Sequence, residues 1–285
     1  MERKKKTGAK QAETAAADPN LTALFPNVAS QFRGALSTLY LAARQLAPPE
    51  AREQSDEADA KAAFMDQSYY RLLHMVHNLD DAAYLLGKRL YYKSFLDIVN
   101  PIGRICGQAG DLAAMKGITL KFTCPMDRHI CLHDPKAIKT ALYQLLSNAV
   151  KFTDDGGTIS VNLRLKDGSI DLSVADTGCG ISEELLPTLF DRYCHTSRMD
   201  PPRHGLGLGL SICRSIAEGH GGVVLAESRP GKGSTFTLSI PDIQSEGGIL
   251  QFHEPPAEYL GGFNPLLLAL ADSLPREAFL LRSEE

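Results

Sequence analysis

Residues Asp176-Thr-Gly-Cys-Gly-Ile181 form an acidic, glycine-containing turn, and a second glycine run, Gly205-Leu-Gly-Leu-Gly-Leu210, follows further along the chain. The segment Asn148-Ala-Val-Lys151 precedes both. The first run comes after a strand pattern and the second opens a helix pattern, and an irregular stretch that contains prolines separates them. This order is typical of a nucleotide pocket covered by a mobile lid.

The composition is that of an ordinary soluble globular protein. Its 285 residues suffice for one large domain or two small ones, and the net charge of −4 gives no reason to expect nucleic acid. No apolar run approaches the roughly 18 to 20 residues that cross a bilayer, and no signal peptide follows Met1. The six cysteines are scattered without a C-x-x-C pair. We therefore expect reduced thiols and a cytoplasmic location, with no integral membrane segment.

The first ninety residues predict a disordered basic start and then two helices. Residues 1–20 are low in large apolar side chains, and a contact of Arg3–Lys6 with anionic lipid or nucleic acid is the alternative to a solvated start. Within 21–90, apolar side chains recur in two heptad seams, at positions 28, 32, 35, 39, 42 and 46, and at 65, 69, 72, 76, 79, 83 and 86. The charged residues 50–60 connect the two helices.

Two such helices with a short connection predict an antiparallel hairpin. Each carries an apolar stripe that one partner helix does not cover, so we expect a dimeric four-helix bundle. Packing of the hairpin on the rest of its own chain is the alternative.

Residues 91–241 predict an α+β domain, an α/β sandwich in which helices cover one face of a mixed sheet. Asp134 and Pro135 are typical of a helix N-cap and first turn. The patterns predict helices at 98–115, 134–152 and 207–219, a strand at 117–122, and two β-hairpins at 159–174 and 223–240. Residues 242–285 form a C-terminal extension whose apolar part, 263–281, docks on the core or on a partner.

The chain resembles the ATP-binding domain of sensor histidine kinases, within the superfamily that includes gyrase, an ATP-dependent heat-shock chaperone and MutL. The resemblance covers about residues 21–241 and rests on four boxes in the order of that family. They are Gln144-Leu-Leu-Ser-Asn-Ala-Val-Lys-Phe-Thr153, Asp176-Thr-Gly-Cys-Gly180, Gly205-Leu-Gly-Leu-Gly209 and Gly231-Lys-Gly-Ser-Thr-Phe236. Leu189-Phe-Asp-Arg-Tyr193 is similar to the aromatic box before the lid.

The first box implies a site for Mg²⁺ and phosphate. The side-chain oxygen of Asn148 is a neutral hard ligand, which suits Mg²⁺, and the matching asparagine of the family holds that ion. Lys151 lies on the same helix face and reaches phosphate as a flexible cation. Phe152 matches an aromatic residue that flanks the adenine. A helix-surface asparagine, a solvated lysine and a core phenylalanine are the structural alternatives.

The remaining boxes imply contacts to the base and the phosphates. As an acceptor, the carboxylate of Asp176 reads the adenine amino group, beside Gly178 and Gly180, whose bare backbone passes close to the base. The backbone N–H groups of the third box suit a triphosphate; its residues are Gly205, Leu206, Gly207, Leu208 and Gly209. Thr235 matches a family position near the phosphates. Plain turns, a flexible loop and an ordinary strand residue are the alternatives.

The phosphoacceptor box departs from the family pattern. Ser30 occupies the position of the family's histidine, and Gln31 replaces the neighbouring acid. Imidazole, with a pKa of about 6.5, is a ready nucleophile at neutral pH, whereas a serine hydroxyl requires an adjacent base. Autophosphorylation at Ser30 is therefore not expected. His74 and His77 on the second helix are weaker acceptor candidates, and both are expected to be solvated.

Two further departures concern the chemistry of ATP. Gln144 occupies the place of the glutamate base of hydrolytic relatives, so efficient hydrolysis is not expected. His195 follows the aromatic box where kinase relatives carry arginine, and lid residues Arg198, Arg203 and His204 are candidates to replace it. The predicted catalytic set is Gln144, Asn148 and Lys151.

The resemblance implies a kinase that transfers the γ-phosphate of ATP to a protein histidine in a phosphorelay, with ATP and Mg²⁺ as cofactors. A homodimer and a response regulator are the implied partners. Two alternatives stay open: an ATP-gated dimeric scaffold that does not autophosphorylate, and a serine kinase of the anti-sigma type, against which the hairpin argues.

Overall fold

The computed structural model of the chain describes residues 19–81, 85, 90–191, 207–245 and 264–280. The first part is a helical hairpin made of α1 (Pro19–Leu46), α2 (Pro49–Gln54) and α3 (Asp56–Asp81). Helices α1 and α3 pack on each other, which confirms the predicted hairpin. The predicted connection at 50–60 contains the short helix α2 and the first turn of α3. Helix α2 forms because Pro49 starts a helix favourably and good helix formers follow.

The second part, called the sheet domain, covers the described residues from 90 to 245. Its helices are α4 (Val99–Ala114), α5 (Pro135–Phe152) and α6 (Gly209–Gly219). Its strands are β1 (Ser94–Asp97), β2 (Thr119–Thr123), β3 (Ile130–His133), β4 (Thr158–Lys166), β5 (Ser169–Asp176), β6 (Val223–Arg229) and β7 (Gly233–Pro241). Five strands form one sheet in the order β2-β4-β5-β7-β6, in which only β2 and β4 are parallel. The predicted mixed sheet is confirmed.

Local sequence signals explain most of these elements. Asp134 caps α5, since its carboxylate accepts hydrogen bonds from the N–H groups of Lys136 and Ala137, both at 3.0 Å. Asp167 and Gly168 both adopt positive φ, 49° and 77°, as the tight turn between β4 and β5 requires. The alternating apolar side chains of these strands are buried beneath the helices: Ile159, Val161, Leu163, Ile170, Leu172 and Val174.

A small second sheet was not predicted. Strands β1 and β3 pair antiparallel, with Ser94 opposite His133, and each has four residues. The N–H of Leu132 also donates to the carbonyl of Ile243 at 2.9 Å. This sheet ties the start of the domain to the end of its last strand.

The C-terminal extension docks on the core of its own chain, which is one of the two predicted outcomes. Of this extension the structure describes residues 242–245 and 264–280, and the second stretch is called the C-terminal segment. It contains α7 (Pro265–Leu270), capped by Asn264, and a 3-10 turn at Arg276–Phe279. This segment packs against α3 and α5.

The hairpin leaves the predicted seam of α1 uncovered. Ala29, Leu36 and Tyr40 pack inward, whereas Phe32 and Leu39 are 57% and 66% exposed. Because the two sets lie on different faces of α1, that helix has an inner apolar stripe and an outer one. We call Phe32 and Leu39, together with the exposed seam residues Met65 and Leu72 of α3, the outer stripe.

Within the described ranges, no helix is both long enough and apolar enough to cross a membrane.

Candidate nucleotide site

Helix α5 presents four of the predicted residues along one half-buried face. Asn148 follows Gln144 by four residues, and Lys151 and Phe152 follow Asn148 by three and four, which places all four on one side of the helix. The opposite face is fully buried in the core through Leu142, Leu145, Leu146 and Val150. Burial of that apolar face fixes the rotation of the helix and therefore the direction in which the polar residues point.

The acidic loop 176–180 lies against the end of α5. A Cβ at position 178 would lie 2.2 Å from the carbonyl oxygen of Phe152, so only glycine fits there. The N–H of Cys179 donates to the same carbonyl at 3.4 Å, and Gly180 adopts a φ of 69°. This contact brings Asp176 next to Phe152 although the two are distant in sequence.

Asp176 is held in one orientation at the end of β5. Its Oδ1 accepts hydrogen bonds from the N–H of Gly178 at 2.9 Å and of Ser234 at 3.3 Å. Burial raises the pKa of this carboxyl, and these two hydrogen bonds partly offset the shift. No hydrogen bond from the described residues reaches Oδ2. A fixed acceptor with one open oxygen suits the amino group of adenine.

The last box contributes Ser234 to the site, where the sequence predicted Thr235. In the sheet, Thr235 lies opposite Glu227, which is exposed on the face away from the helices. Directly paired residues share a face, so Thr235 points to that open face. Ser234 is buried beside Asp176 and hydrogen-bonds Ser228 at 2.9 Å. In the sequence, the apolar residues Phe236, Leu238 and Ile240 alternate with polar ones along β7. Continued back by two residues, this alternation places Ser234, and not Thr235, on the buried face.

The third box approaches Gln144 at the start of α6. Gly207 has a φ of 66°, and a Cβ on Gly209 would lie 2.7 Å from Oε1 of Gln144. Leu208 is buried in the core, so its side chain takes no part in a site and only its backbone is available. Other predicted residues of the box and the lid lie outside the described ranges: Gly205, Leu206, His195, Arg198, Arg203 and His204.

Gln144 connects the sheet domain to the hairpin. Its Nε2 donates to Oδ1 of Asn78 at 2.9 Å, and Nδ2 of Asn78 lies 3.3 Å from Nε2 of His74. The expectation that His74 is solvated is wrong, because it is buried with its Nδ1 3.2 Å from Oδ2 of Asp272. His77 is half-buried in a small cleft between α3, α5 and α7.

The ammonium group of Lys151 lies over the aromatic ring of the next residue, Phe152. Its Nζ is 5.3 Å from the centroid of that ring, a cation–π distance. Burial alone would raise the pKa of Asp272, but the hydrogen bond from His74 and the charges of His74, Lys151 and Arg71 outweigh it and lower the pKa. Lys151 is thus within electrostatic reach of a buried carboxylate.

Ser30, the residue at the predicted phosphoacceptor position, does not lie in this site. Its side chain is exposed on the outer surface of α1, as predicted. Among the residues that the structure describes, no hydrogen bond or ion pair joins Ser30 to α5. The ion pair between Arg33 and Asp80 fixes this part of α1 on α3.

Residues 133–244 match the family described as histidine kinase-, DNA gyrase B- and HSP90-like ATPase. The match spans the capped helix α5, the acidic loop and both glycine boxes. The sheet domain therefore belongs to this ATPase family.

Most of the chain is similar to named sensor proteins. It is 32% identical to Sensor protein EvgS of Escherichia coli O157:H7 over 240 residues, which are 82% of this chain and 20% of that protein. It is 30% identical to Sensor-like histidine kinase SenX3 of Mycolicibacterium smegmatis over 196 residues, 66% of this chain and 50% of that protein. The chain thus spans between a fifth and a half of the length of these relatives.

The fold is similar to that in the crystal structure of full-length ShkA in complex with AMPPNP. The TM-score is 0.64 at 24% identity, over 79% of this chain and 46% of that chain. The helical N-terminal region followed by the sheet domain therefore has the fold of the matching part of that protein.

Proposed function

We propose that this chain is a histidine-kinase-type signalling protein that binds ATP and transfers its γ-phosphoryl group to a protein histidine. The observation that carries the proposal is the convergence of α5, the acidic loop and the start of α6. Similarity to a sensor-like histidine kinase over 196 residues of the chain supports it.

The nucleotide would lie against the end of α5. Asp176 reads the adenine amino group, Phe152 flanks the base, and Lys151 with the backbone around Gly207–Gly209 holds phosphate. Asn148 would hold Mg²⁺, which neutralises phosphate charge when bound. The half-buried position of Asn148 in line with Lys151 fits that role, and its amide makes no hydrogen bond to the described part of the chain.

The phosphoacceptor in this proposal is a histidine of another protein. Transfer forms a bond from a ring nitrogen to the γ-phosphorus and releases ADP, and the ring gives up its proton. Ser30 is exposed next to Gln31, which has no carboxylate to take a proton. His74 is a poor acceptor, since both its ring nitrogens face partners in the core.

A second copy of the chain is the proposed occupant of the outer stripe. Phe32, Leu39, Met65 and Leu72 form an exposed apolar face along the hairpin. Burying such a face against its own copy gives the four-helix bundle that the heptad seams predict. A response regulator is the further partner proposed. The five described cysteines are free, which supports a cytoplasmic location.

The alternative is an ATP-gated scaffold without any transfer. It rests on the substitutions at Ser30 and Gln31 alone. The similarity to proteins named as histidine kinases favours the kinase.

Incubation of the purified chain with ATP labelled at the γ-phosphate, alone and with candidate histidine-containing partners, tests the proposal. We expect an acid-labile, base-stable label on a partner, mapped to histidine by mass spectrometry. Nucleotide binding without label on any protein would contradict the kinase and leave the scaffold.

A further inference from the structure

The C-terminal segment lies between the hairpin and the sheet domain and contacts both. Its apolar side chains belong to one continuous core with Tyr70 and Leu73 of the hairpin and with α5 of the sheet domain. Those buried side chains are Leu266, Leu268, Leu270, Ala271, Leu274 and Phe279. The segment therefore packs on both parts of the molecule, in addition to the direct hydrogen bond between Asn78 and Gln144.

The hairpin side of this contact is specified by hydrogen bonds to backbone. Three side chains of α2 and α3 donate to carbonyls of the segment: Arg52 to Phe279 at 3.0 Å, Gln67 to Leu274 at 3.0 Å and Arg71 to Ala271 at 3.3 Å. Arg52 is itself fully buried and pairs with Asp59 and Asp66. These contacts define one path for the segment across the hairpin, which a nonspecific apolar contact would not do.

A row of hydrogen bonds joins this segment to the nucleotide site. It runs from Gln144 through Asn78 and His74 to Asp272, at 2.9, 3.3 and 3.2 Å. At its far end, Gln144 lies against Gly209 of the third box. The row therefore couples the position of the segment to a residue that touches the predicted phosphate loop.

Asp272 also acts on the site through its charge. Its carboxylate is buried and interacts electrostatically with Lys151, which the proposed function assigns to phosphate. The phosphates of a bound nucleotide and the carboxylate of Asp272 would compete for the ammonium group of Lys151. In a buried setting such a competition is weakly screened by solvent.

We propose that residues 264–280 are an intramolecular clamp whose docking opposes nucleotide binding. Docked, the clamp fixes the sheet domain on the hairpin and holds Lys151 and Gln144 toward Asp272 and Asn78. Nucleotide binding draws Lys151 away from Asp272 and so weakens the docking of the clamp. Because coupling between two sites is reciprocal, weaker docking of the clamp in turn increases the affinity for nucleotide. This inference rests on the proposed function, since it requires that the site binds nucleotide. A loosened clamp would let the sheet domain move toward a phosphoacceptor.

Hydrogen exchange of the full chain, with and without Mg-AMP-PNP, tests the opposition directly. We expect slower exchange at 176–180 and 207–209 and faster exchange at 264–280 when the nucleotide is present. If the nucleotide protects the loops but leaves the segment unchanged or slower, the clamp is wrong while the nucleotide site stands. If it protects neither, the proposed function fails, and this inference with it.

Asp272→Asn in the full chain tests the role of the charge. The amide keeps an acceptor for His74 but removes the negative charge, so the affinity for Mg-AMP-PNP should rise about fivefold or more. Ser273→Ala is the matched control, because it removes only a 3.5 Å contact to the carbonyl of Ser147, and its affinity should equal that of the parent. An unchanged or lower affinity of Asp272→Asn would overturn the clamp.

Phe279→Ala loosens the segment from its other end, where Phe279 packs 5.6 Å from the ring of Tyr70. A variant that is folded by circular dichroism should also bind Mg-AMP-PNP more tightly, although no charge has changed. If Asp272→Asn binds more tightly while Phe279→Ala binds like the parent, the local charge of Asp272 explains the change. Docking of the segment would then be rejected as its cause.

Discussion

The nucleotide end of this molecule holds charged and polar side chains in fixed, half-buried positions, whereas the acceptor end of the hairpin presents a serine and a glutamine to solvent. At the first end, Asp176 is oriented by two backbone N–H groups and lies beside Phe152. At the second, Ser30 is exposed and is followed by Gln31, whose amide cannot take a proton as a carboxylate can. The difference indicates that nucleotide binding and phosphoacceptor chemistry are separate properties of this fold, and that one can persist without the other.

The largest expected effect comes from restoring a histidine phosphoacceptor at position 30, which tests whether the two ends of the molecule differ only in the acceptor. Ser30→His combined with Gln31→Glu supplies an imidazole and a neighbouring carboxylate on an exposed helix face. We expect an acid-labile label on this variant after incubation with labelled ATP, where the parent shows none at this position. The same double substitution together with Asn148→Ala is the control and should stay unlabelled. An unlabelled double variant that still binds nucleotide would show that more than the acceptor is missing.

The next largest effect is expected at Asp176. Asp176→Asn replaces a charged acceptor by an amide that can turn its NH₂ group toward the base, which should weaken Mg-ATP binding by about 2 to 3 kcal/mol, or roughly 30- to 150-fold. Calorimetric titration measures this. Asp171→Asn is the matched control, since Asp171 lies on the same strand but points to the other face of the sheet. Equal losses in both variants would mean that Asp176 acts through folding and not through the base.

The outer stripe of the hairpin offers a test that leaves the nucleotide site intact. Leu39→Asp places a charge in the proposed bundle core and should weaken the dimer by at least about 2 kcal/mol. Leu225→Asp is the control, because Leu225 is similarly exposed, at 53% against 66%, but lies on β6. Sedimentation should show a monomer for the first variant and the parent mass for the second. A parent that is already monomeric would contradict the bundle.

A smaller effect is expected from two buried histidines near the start of α5. Burial lowers the pKa of both His133 and His220, and Nε2 of His220 accepts the N–H of Asp134 at 3.0 Å, which a protonated ring cannot do. Their stabilising contribution is therefore complete above the unfolded pKa of about 6.5 and falls as the pH drops below it. The melting temperature should decrease between pH 7.5 and pH 5.5. A melting temperature that rises over this range would contradict the neutral pair.

Local patterns were sufficient for the sheet domain because its signals are short-range. The cap at Asp134 and the turn at Asp167–Gly168 each depend on residues adjacent in sequence, and both form as predicted. Strands β1 and β3 escaped prediction because four residues carry little alternation, and their pairing depends on contacts distant along the chain.

The sequence could predict an individual site residue only where the helix or strand pattern also determines which way its side chain points. On α5 the helical spacing alone places Asn148 and Lys151 on one face. On β7 the choice between Ser234 and Thr235 required the parity of the strand, which the burial of Phe236 settles. The surroundings of His74 could not be predicted from local sequence, because its partner Asp272 lies 198 residues further along the chain, in the C-terminal segment.

The central claim is that one pocket, built from α5, the acidic loop and the start of α6, binds an adenine nucleotide. Calorimetric titration of the full chain with Mg-ATP and with Mg-GTP tests it most directly, because the carboxylate of Asp176 attracts the adenine amino group and repels the carbonyl oxygen of guanine. We predict measurable binding of Mg-ATP and at least about tenfold weaker binding of Mg-GTP. No heat with Mg-ATP, or equal affinity for both nucleotides, would contradict the account.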